Sequence, residues 1–319
     1  MFDKIKPVFF LNDEMNNLFA EIESKLKSIR ITDKNKRKYL ITKARVRSVH
    51  SSLSIEENTI SLFNVEKIYE NKEVLGKKKE IQEVKNALRV YSQLNNFNYK
   101  SEDDFLKAHQ MMMKYLDDDN GFYRDHGEGV KKNNEIIYRA PNSILVPSLM
   151  NSLFDYLNTS EDNLIIKAIV FHYYFVVIHP FSDGNGRMAR LWVSLILNNY
   201  NKNFEFIPIE EEIYLSQEEY YNSIEKCHVN SNANVFITFM LKVINESIDK
   251  VIRNNEYNLN ETQERIIELI INDKYITQDK IATILNVNVR TVKRNFKVLI
   301  ENGIVERIGS DKTGFWEVL

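Results

Sequence analysis

Residues that bend a chain are scarce here: the 319 residues hold 9 Gly and 5 Pro, where average usage gives about 22 and about 16. The shortage excludes an all-β sandwich or barrel, which turns every ~8–12 residues, and it favours long helices. A single cysteine excludes a disulfide framework or a cysteine zinc cluster and suits a reducing cytosol. No charge sign dominates either. With 43 basic and 45 acidic side chains the net charge is -2, which argues against wholesale electrostatic binding to nucleic acid and leaves a local basic patch open. Met1–Glu14 lacks an apolar run of signal-peptide length. The most apolar stretch, Ala168–Phe181, is too short to span a bilayer and contains His172 and His179. The expectation is a soluble cytoplasmic protein without a membrane partner. Apolar residues make up 43%, ample for a core, and the length suggests two or three domains.

The few benders cluster. None lies between Pro7 and Gly76 or between Pro208 and Gly303. The others group at Gly121–Pro147, Pro180–Gly186 and Gly303–Gly314, each marking backbone that a helix cannot supply. Helical spacing covers residues 13–95, for example Met15–Ile29 and Lys77–Leu94, and a capped helix is expected over 101–118. Gly127 and Gly129, the polar Lys131–Asn134 and the alternating Glu135–Arg139 suggest a β-hairpin. Helix resumes over Ser148–Leu157 and Leu164–Ile178, the latter apolar nearly all round and so read as the buried central helix. After a helix over 235–252 and a polar linker, Asn254–Asn260, the chain changes character. Helices over Glu261–Asn272, Thr277–Leu285 and Val289–Asn302, then alternation through Ile304–Leu319, resemble a winged helix-turn-helix. Arg290, Lys293, Arg294 and Lys297 share one face of the third helix. Residues 289–299 thus offer a surface for DNA or, given 9 basic and 9 acidic side chains over 259–319, for protein.

Special chemistry concentrates in His179-Pro-Phe-Ser-Asp-Gly-Asn-Gly-Arg-Met-Ala-Arg190, between the buried helix and another apolar one, Met188–Leu197. Glycines on both sides of Asn185 would let three consecutive residues take positive φ, so that N–H groups converge on one point. That point lies at a helix N-terminus, which favours an anion. Arg187 and Arg190, read as lying in the first turn, oppose the dipole unless a polyanion pairs with both. No Walker or dinucleotide pattern is present. Asp183 can hold Mg²⁺ through one carboxylate oxygen while phosphates supply other contacts, and His179 can take a proton from an attacking hydroxyl. The ingredients are those of phosphoryl or nucleotidyl transfer.

This segment resembles the full signature of Fic-domain proteins, His-Pro-Phe-x-Asp-Gly-Asn-Gly-Arg-x-x-Arg, with every specified position present. The resemblance implies a mainly α fold: a Fic-like helical core with a β-hairpin flap (about Asp125–Tyr138, with Asn142–Val146 leading out), plus a small C-terminal winged-helix domain. The corresponding division is 1–95, 96–253 and 259–319. The implied activity is AMP transfer from Mg-ATP to a Tyr, Thr or Ser hydroxyl of a protein, self-modification included. In that reading His179 is the base, Asp183 the Mg²⁺ ligand, and Gly184, Asn185 and Gly186 cradle the α- and β-phosphates. Arg187 contacts phosphate and Arg190 the γ-phosphate. Tyr220, Tyr221 and Asn232 match an adenine pocket, although Tyr220 and Tyr221 equally suit helix-surface packing and the spacing also admits Asn230 or Asn234.

Ser52–Asn58 resembles the inhibitory-helix motif Ser/Thr-x-x-x-Glu-Gly/Asn of the same family. Glu56 would pair with Arg190 and compete with the γ-phosphate. Where Gly or Asn is expected the chain has Glu57, which predicts weak restraint. An ordinary solvated face is the alternative for Glu56 and Glu57. The alternatives for function are removal of AMP, transfer of phosphate, or a DNA-binding regulator whose Fic site senses nucleotide. A homodimer stays open.

Overall fold

The computed structural model describes residues 6–127, 129–132, 135–256, 259–310 and 314–318, and the chain forms two compact units, Met1–Ile248 and Asp249–Leu319. The first unit is mainly helical, as expected. It contains α1 (Asp13–Ser28), α2 (Lys34–Ile55), α3 (Leu62–Tyr69), α4 (Lys78–Ser92), α5 (Glu102–Met112), β1 (Gly129–Lys132) and β2 (Glu135–Arg139). Then follow α6 (Val146–Thr159), α7 (Leu164–Ile178), α8 (Asn185–Tyr200), α9 (Ile209–Leu215), α10 (Gln217–Asn230) and α11 (Asn234–Glu256), which starts in the first unit and ends in the second. Side chains of Asn12, Asp33, Ser61, Ser101 and Asn163 accept N–H bonds at the starts of α1, α2, α3, α5 and α7, satisfying donors that a helix leaves orphaned. The α5 helix ends earlier than the apolar stripe over 101–118 suggests, because the chain turns out at Tyr115 with φ +65°.

The α7 helix is buried on nearly every side and packs most extensively on α8. Phe105 of α5 sits among Trp192 (ring centroids 4.9 Å), Phe175 (5.1 Å), Phe154 (5.6 Å) and Phe181 (5.7 Å). Each such ring contributes about 1.5–3 kcal/mol by leaving water, so the connection 179–184 between α7 and α8 rests on the firmest part of the core. The hairpin is antiparallel, pairing Gly129 with Arg139 and Lys132 with Glu135. Residues 128, 133 and 134 of the expected flap lie outside the described residues. Near the N-terminus the chain is strapped to the start of α11: Ala233 N–H donates to Val8 O (2.9 Å), and the Asn234 amide makes two bonds to the Phe10 backbone (3.1 and 2.7 Å).

The second unit contains α12 (Glu261–Asn272), α13 (Gln278–Leu285), α14 (Val289–Glu301), β3 (Val305–Ile308) and β4 (Phe315–Val318). Its strands are antiparallel, with Val305 opposite Val318. A separate apolar core joins Ile266, Ile270, Ile281, Val292, Phe296 and Leu299. Residues 257–258 of the expected linker and 311–313 and 319 of the expected wing lie outside the described residues. Among the described residues no helix is long and apolar enough to cross a membrane.

Candidate active site

The α7 helix stops at His179, which takes the left-handed conformation (φ +51°, ψ +59°) and donates its N–H to Phe175 O at 3.0 Å. Pro180 follows and disfavours a further right-handed turn. The loop is then pinned by Asn185, whose side chain accepts from Phe181 N–H (3.0 Å) and donates to Phe181 O (2.8 Å). The asparagine amide is thus spent inside the loop, and what Asn185 presents at the helix start is its backbone.

One expectation about this loop needs correction. Of the residues read as a run of positive φ, only Gly184 adopts it (φ +82°); Asn185 and Gly186 already lie in α8. At Gly184 a Cβ would also meet Met113 Sδ at 2.8 Å, so both conformation and space require glycine. At Gly186 the reason is different: a Cβ there would strike the Glu56 carboxylate. The missing side chain leaves room for an anion over the N-terminus of α8, a helix with no side-chain cap and hence with orphan N–H groups.

The two arginines flank that point. Arg187, in the first turn of α8, is 4% exposed and donates to Asp183 Oδ1 at 2.7 Å, with Glu83 Oε1 at 3.9 Å. Burial works against ionisation of Asp183, but the charge and hydrogen bond of Arg187 and the Gly184 N–H outweigh it and hold the carboxyl below its ordinary range. Arg190 lies one turn further along α8 rather than in its first turn, and it is 1% exposed. It donates from Nε to Ser52 Oγ (3.0 Å) and from Nη2 to Ser52 O (2.9 Å) and Glu56 Oε1 (2.7 Å). Desolvation opposes its charge, yet Glu56, Tyr220 and Tyr91 raise its pKa on balance. The structure therefore brings the Glu56 carboxylate onto Arg190, with about a third of the side chain (35%) still open to solvent.

Glu56 is delivered by the end of α2. Glu57 N–H donates to Ser54 O (3.0 Å) and Asn58 N–H to Leu53 O (3.1 Å), the two bonds of a Schellman ending, in which the residue after the cap is left-handed and usually Gly or Asn. Here that residue is Glu57, at φ +64°. Asn58 next donates to Glu83 Oε2 at 2.7 Å, so Glu83 faces both this turn and Arg187.

Tyr220 is buried, bonded through Oη to His172 Nε2 at 2.9 Å. Burial raises its pKa while Arg190 pulls the other way. Burial, reinforced by the nearby Glu56, likewise raises that of the half-exposed Tyr221. Both tyrosines thus sit beside the Arg190–Glu56 pair. Asn232 is not gathered in: its amide bonds Asn230 O (3.0 Å) and Asn234 N–H (3.1 Å) at the start of α11.

Several supporting residues have no signal in the signature. His109 stacks on Phe181 (3.5 Å, 4°), accepts Gly121 N–H at Nδ1 (2.9 Å) and so donates from Nε2 to Asp183 O (3.0 Å). Burial lowers its pKa to about 4, which keeps that tautomer neutral. Arg124 and Glu83 are likewise far in sequence from the residues they touch.

Comparison with known proteins agrees with this geometry. Residues 99–197 match the Fic/DOC family and residues 259–306 a winged helix-turn-helix DNA-binding family. A protein of Aquifex aeolicus named as a probable protein adenylyltransferase is 31% identical over 46% of this chain and 45% of its own length. A protein adenylyltransferase of Caenorhabditis briggsae is 29% identical over 64% of this chain and 40% of its own. The chain thus spans less than half the length of these two relatives. Among solved structures, a Fic family protein from Desulfovibrio desulfuricans superposes with a TM-score of 0.75 at 29% identity, covering 99% of this chain and 98% of that one. A signature loop between two buried helices, a small two-stranded sheet before it and a separate three-helix unit with a wing together make this chain a Fic/DOC-domain protein with a C-terminal winged helix-turn-helix.

Proposed function

We propose that the protein transfers AMP from ATP to a hydroxyl side chain of a protein and that Glu56 restrains the reaction. The observation carrying this reading is the carboxylate seated over Gly186 and paired with buried Arg190: the N-terminus of α8 accepts an anion, and one already stands there. The names of the relatives support the nucleotidyl class. In the proposed step His179 accepts the hydroxyl proton, the hydroxyl oxygen bonds to the α-phosphorus, and the bond to the bridging oxygen breaks to release pyrophosphate. The first N–H groups of α8 and Arg187 receive the α- and β-phosphates, and Arg190 takes the γ-phosphate in exchange for Glu56. The adenine is assigned to the side of Tyr220 and Tyr221, without Asn232, whose amide is spent on Asn230 and Asn234.

Asp183, half exposed at the mouth of α8, suits one protein contact to a magnesium ion that arrives with ATP. Arg187 Nε and Ser182 Oγ, both buried, have no hydrogen-bond partner among the described residues, as expected of a site shaped for a phosphate-bearing ligand. Such an ion supplies neutralisation of phosphate charge. No group of three or more His, Cys, Asp or Glu side chains placed to hold a metal occurs among the described residues; with one carboxylate, the remaining contacts would come from phosphate oxygens and water.

The test is ATP labelled at the α-phosphate, with magnesium, given to Glu56→Gly and to Glu56→Gly/His179→Ala. Label retained on protein only in the first supports the reading. Retention from γ-labelled ATP alone would replace it with phosphate transfer, and loss of AMP from a premodified protein given to the wild type would replace it with hydrolytic removal of AMP.

A further inference from the structure

Arg124 lies between α5 and the hairpin and is 2% exposed. Its guanidinium donates from Nε to His179 O (2.7 Å), from Nη1 to His126 O (2.6 Å), and from Nη2 to Pro141 O (2.6 Å) and, at longer range, Ile178 O (3.4 Å). Its own N–H donates to Pro180 O at 2.9 Å. Ile178 and His179 carry the last carbonyls of α7, which have no donor within the helix and which a cation complements. His126 and Pro141 are where the chain enters and leaves the hairpin. Ser143 Oγ closes the same neck by donating to Asp125 O at 2.9 Å. A two-stranded hairpin is marginal by itself, so its direction is decided at this neck.

We propose that Arg124 is a positioning residue that registers the hairpin against His179: one planar fork fixes the backbone of the base and both ends of the segment that presents the target. This rests on reading His179 as the base and the hairpin as the flap. Four guanidinium donations from three nitrogens in a fixed plane reach four carbonyls, which the three donors on the single ammonium of lysine cannot reproduce. The phosphate-binding side is held separately, by Asn185, Arg187 and Arg190. The signature of the role is therefore a split: the transfer rate falls while nucleotide affinity does not.

The test compares Arg124→Lys with its parent, both in the full chain carrying Glu56→Gly. Self-modification from α-labelled ATP should slow by about 10- to 100-fold, the scale of a small misplacement of reacting groups. The dissociation constant of a non-hydrolysable ATP analogue should stay within about twofold, on the expectation that Arg124 touches no proposed phosphate contact. Backbone hydrogen exchange should accelerate together in peptides over 122–127, 139–146 and 176–183 and remain unchanged over α8. In an Arg124→Gly variant, added guanidinium ion should restore part of the rate and of the protection. Exchange that rises at only one of the two sides, or at neither, overturns the proposal, as does a nucleotide affinity that falls in step with the rate. If the Glu56→Gly parent transfers no AMP at all, it is the functional reading that fails, and the exchange comparison alone then decides the clamp.

Discussion

Glu57 shows what one residue can set. A left-handed conformation at a non-glycine residue costs about 1–2 kcal/mol, and Glu57 bears it at the turn that delivers Glu56 to Arg190. Glu57→Gly should raise stability by about 1 kcal/mol in urea denaturation, because the Schellman ending keeps its two bonds and loses the strain. It should also lower basal AMP transfer, since a firmer turn holds Glu56 more often in the anion site. Unchanged stability would mean that the side chain repays its own strain. Glu56→Gly is expected to act in the opposite sense on activity, raising incorporation of label at least tenfold at an ATP concentration below saturation. His172 carries a different consequence. It is enclosed by Tyr220 Oη, the ring of Phe236 and the charge of Arg190, and its Nδ1 is buried with no hydrogen-bond partner among the described residues. Burial first, then Arg190, lowers its pKa to about 3. The unfolded chain therefore takes a proton near pH 6.5 that the folded one refuses. Stability is full above that pH and declines as pH falls toward 3, by up to about 1.4 kcal/mol per pH unit from this group. Urea denaturation across pH 4–7 should show a shallower slope for His172→Gln; identical slopes would mean that the folded protein admits the proton.

Among elements, those whose signals are local were readable in advance. The α7, α12 and α13 helices fall where the apolar patterning puts them, because a nearly unbroken apolar run or a periodic apolar face is written in adjacent residues. The α2 helix has no such marking within the helical stretch, since its buried end intersperses Ser48, Ser51 and Ser52 among Val49, Leu53 and Ile55 and so breaks the apolar stripe. For α5 the apolar stripe overshoots the helix, because Leu116 continues it after the backbone has turned at Tyr115. The same division holds in the site. Residues 179–190 were legible as one contiguous signature, whereas Arg124 and His109 act on backbone 55 and 74 residues away, and no local spacing marks such a partner. The N-terminal strap is another long-range feature of this kind, held by the Asn234 amide 224 residues from Phe10. Asn234→Ala removes both bonds, a loss of about 1–3 kcal/mol, borne locally rather than by the helical core. Amide exchange at Phe10 should accelerate in that variant while the exchange of α7 stays unchanged. Acceleration in both would make the strap part of the cooperative core.

For the whole molecule, the small net charge conceals an uneven distribution. The second unit has its own core and carries Arg290, Lys293, Arg294 and Lys297 exposed on α14, while acidic side chains elsewhere offset them in the total. Electrostatic contact with DNA is governed by the cations that reach phosphates, not by the sum over the chain. If α14 lies along a duplex and these four side chains each displace a counterion, the logarithm of the binding constant for the full chain should fall with the logarithm of salt at a slope of about -3.6. Arg294→Ala should then reduce the slope by about 1 and weaken binding at low salt, and it should leave AMP transfer unaltered because it lies in a different unit. Fluorescence anisotropy of a labelled duplex, titrated at several salt concentrations, measures both quantities. A slope near zero, or no binding at low salt, would assign this basic face to a protein surface, and the acidic partner it then selects would be sought among the proteins that acquire AMP.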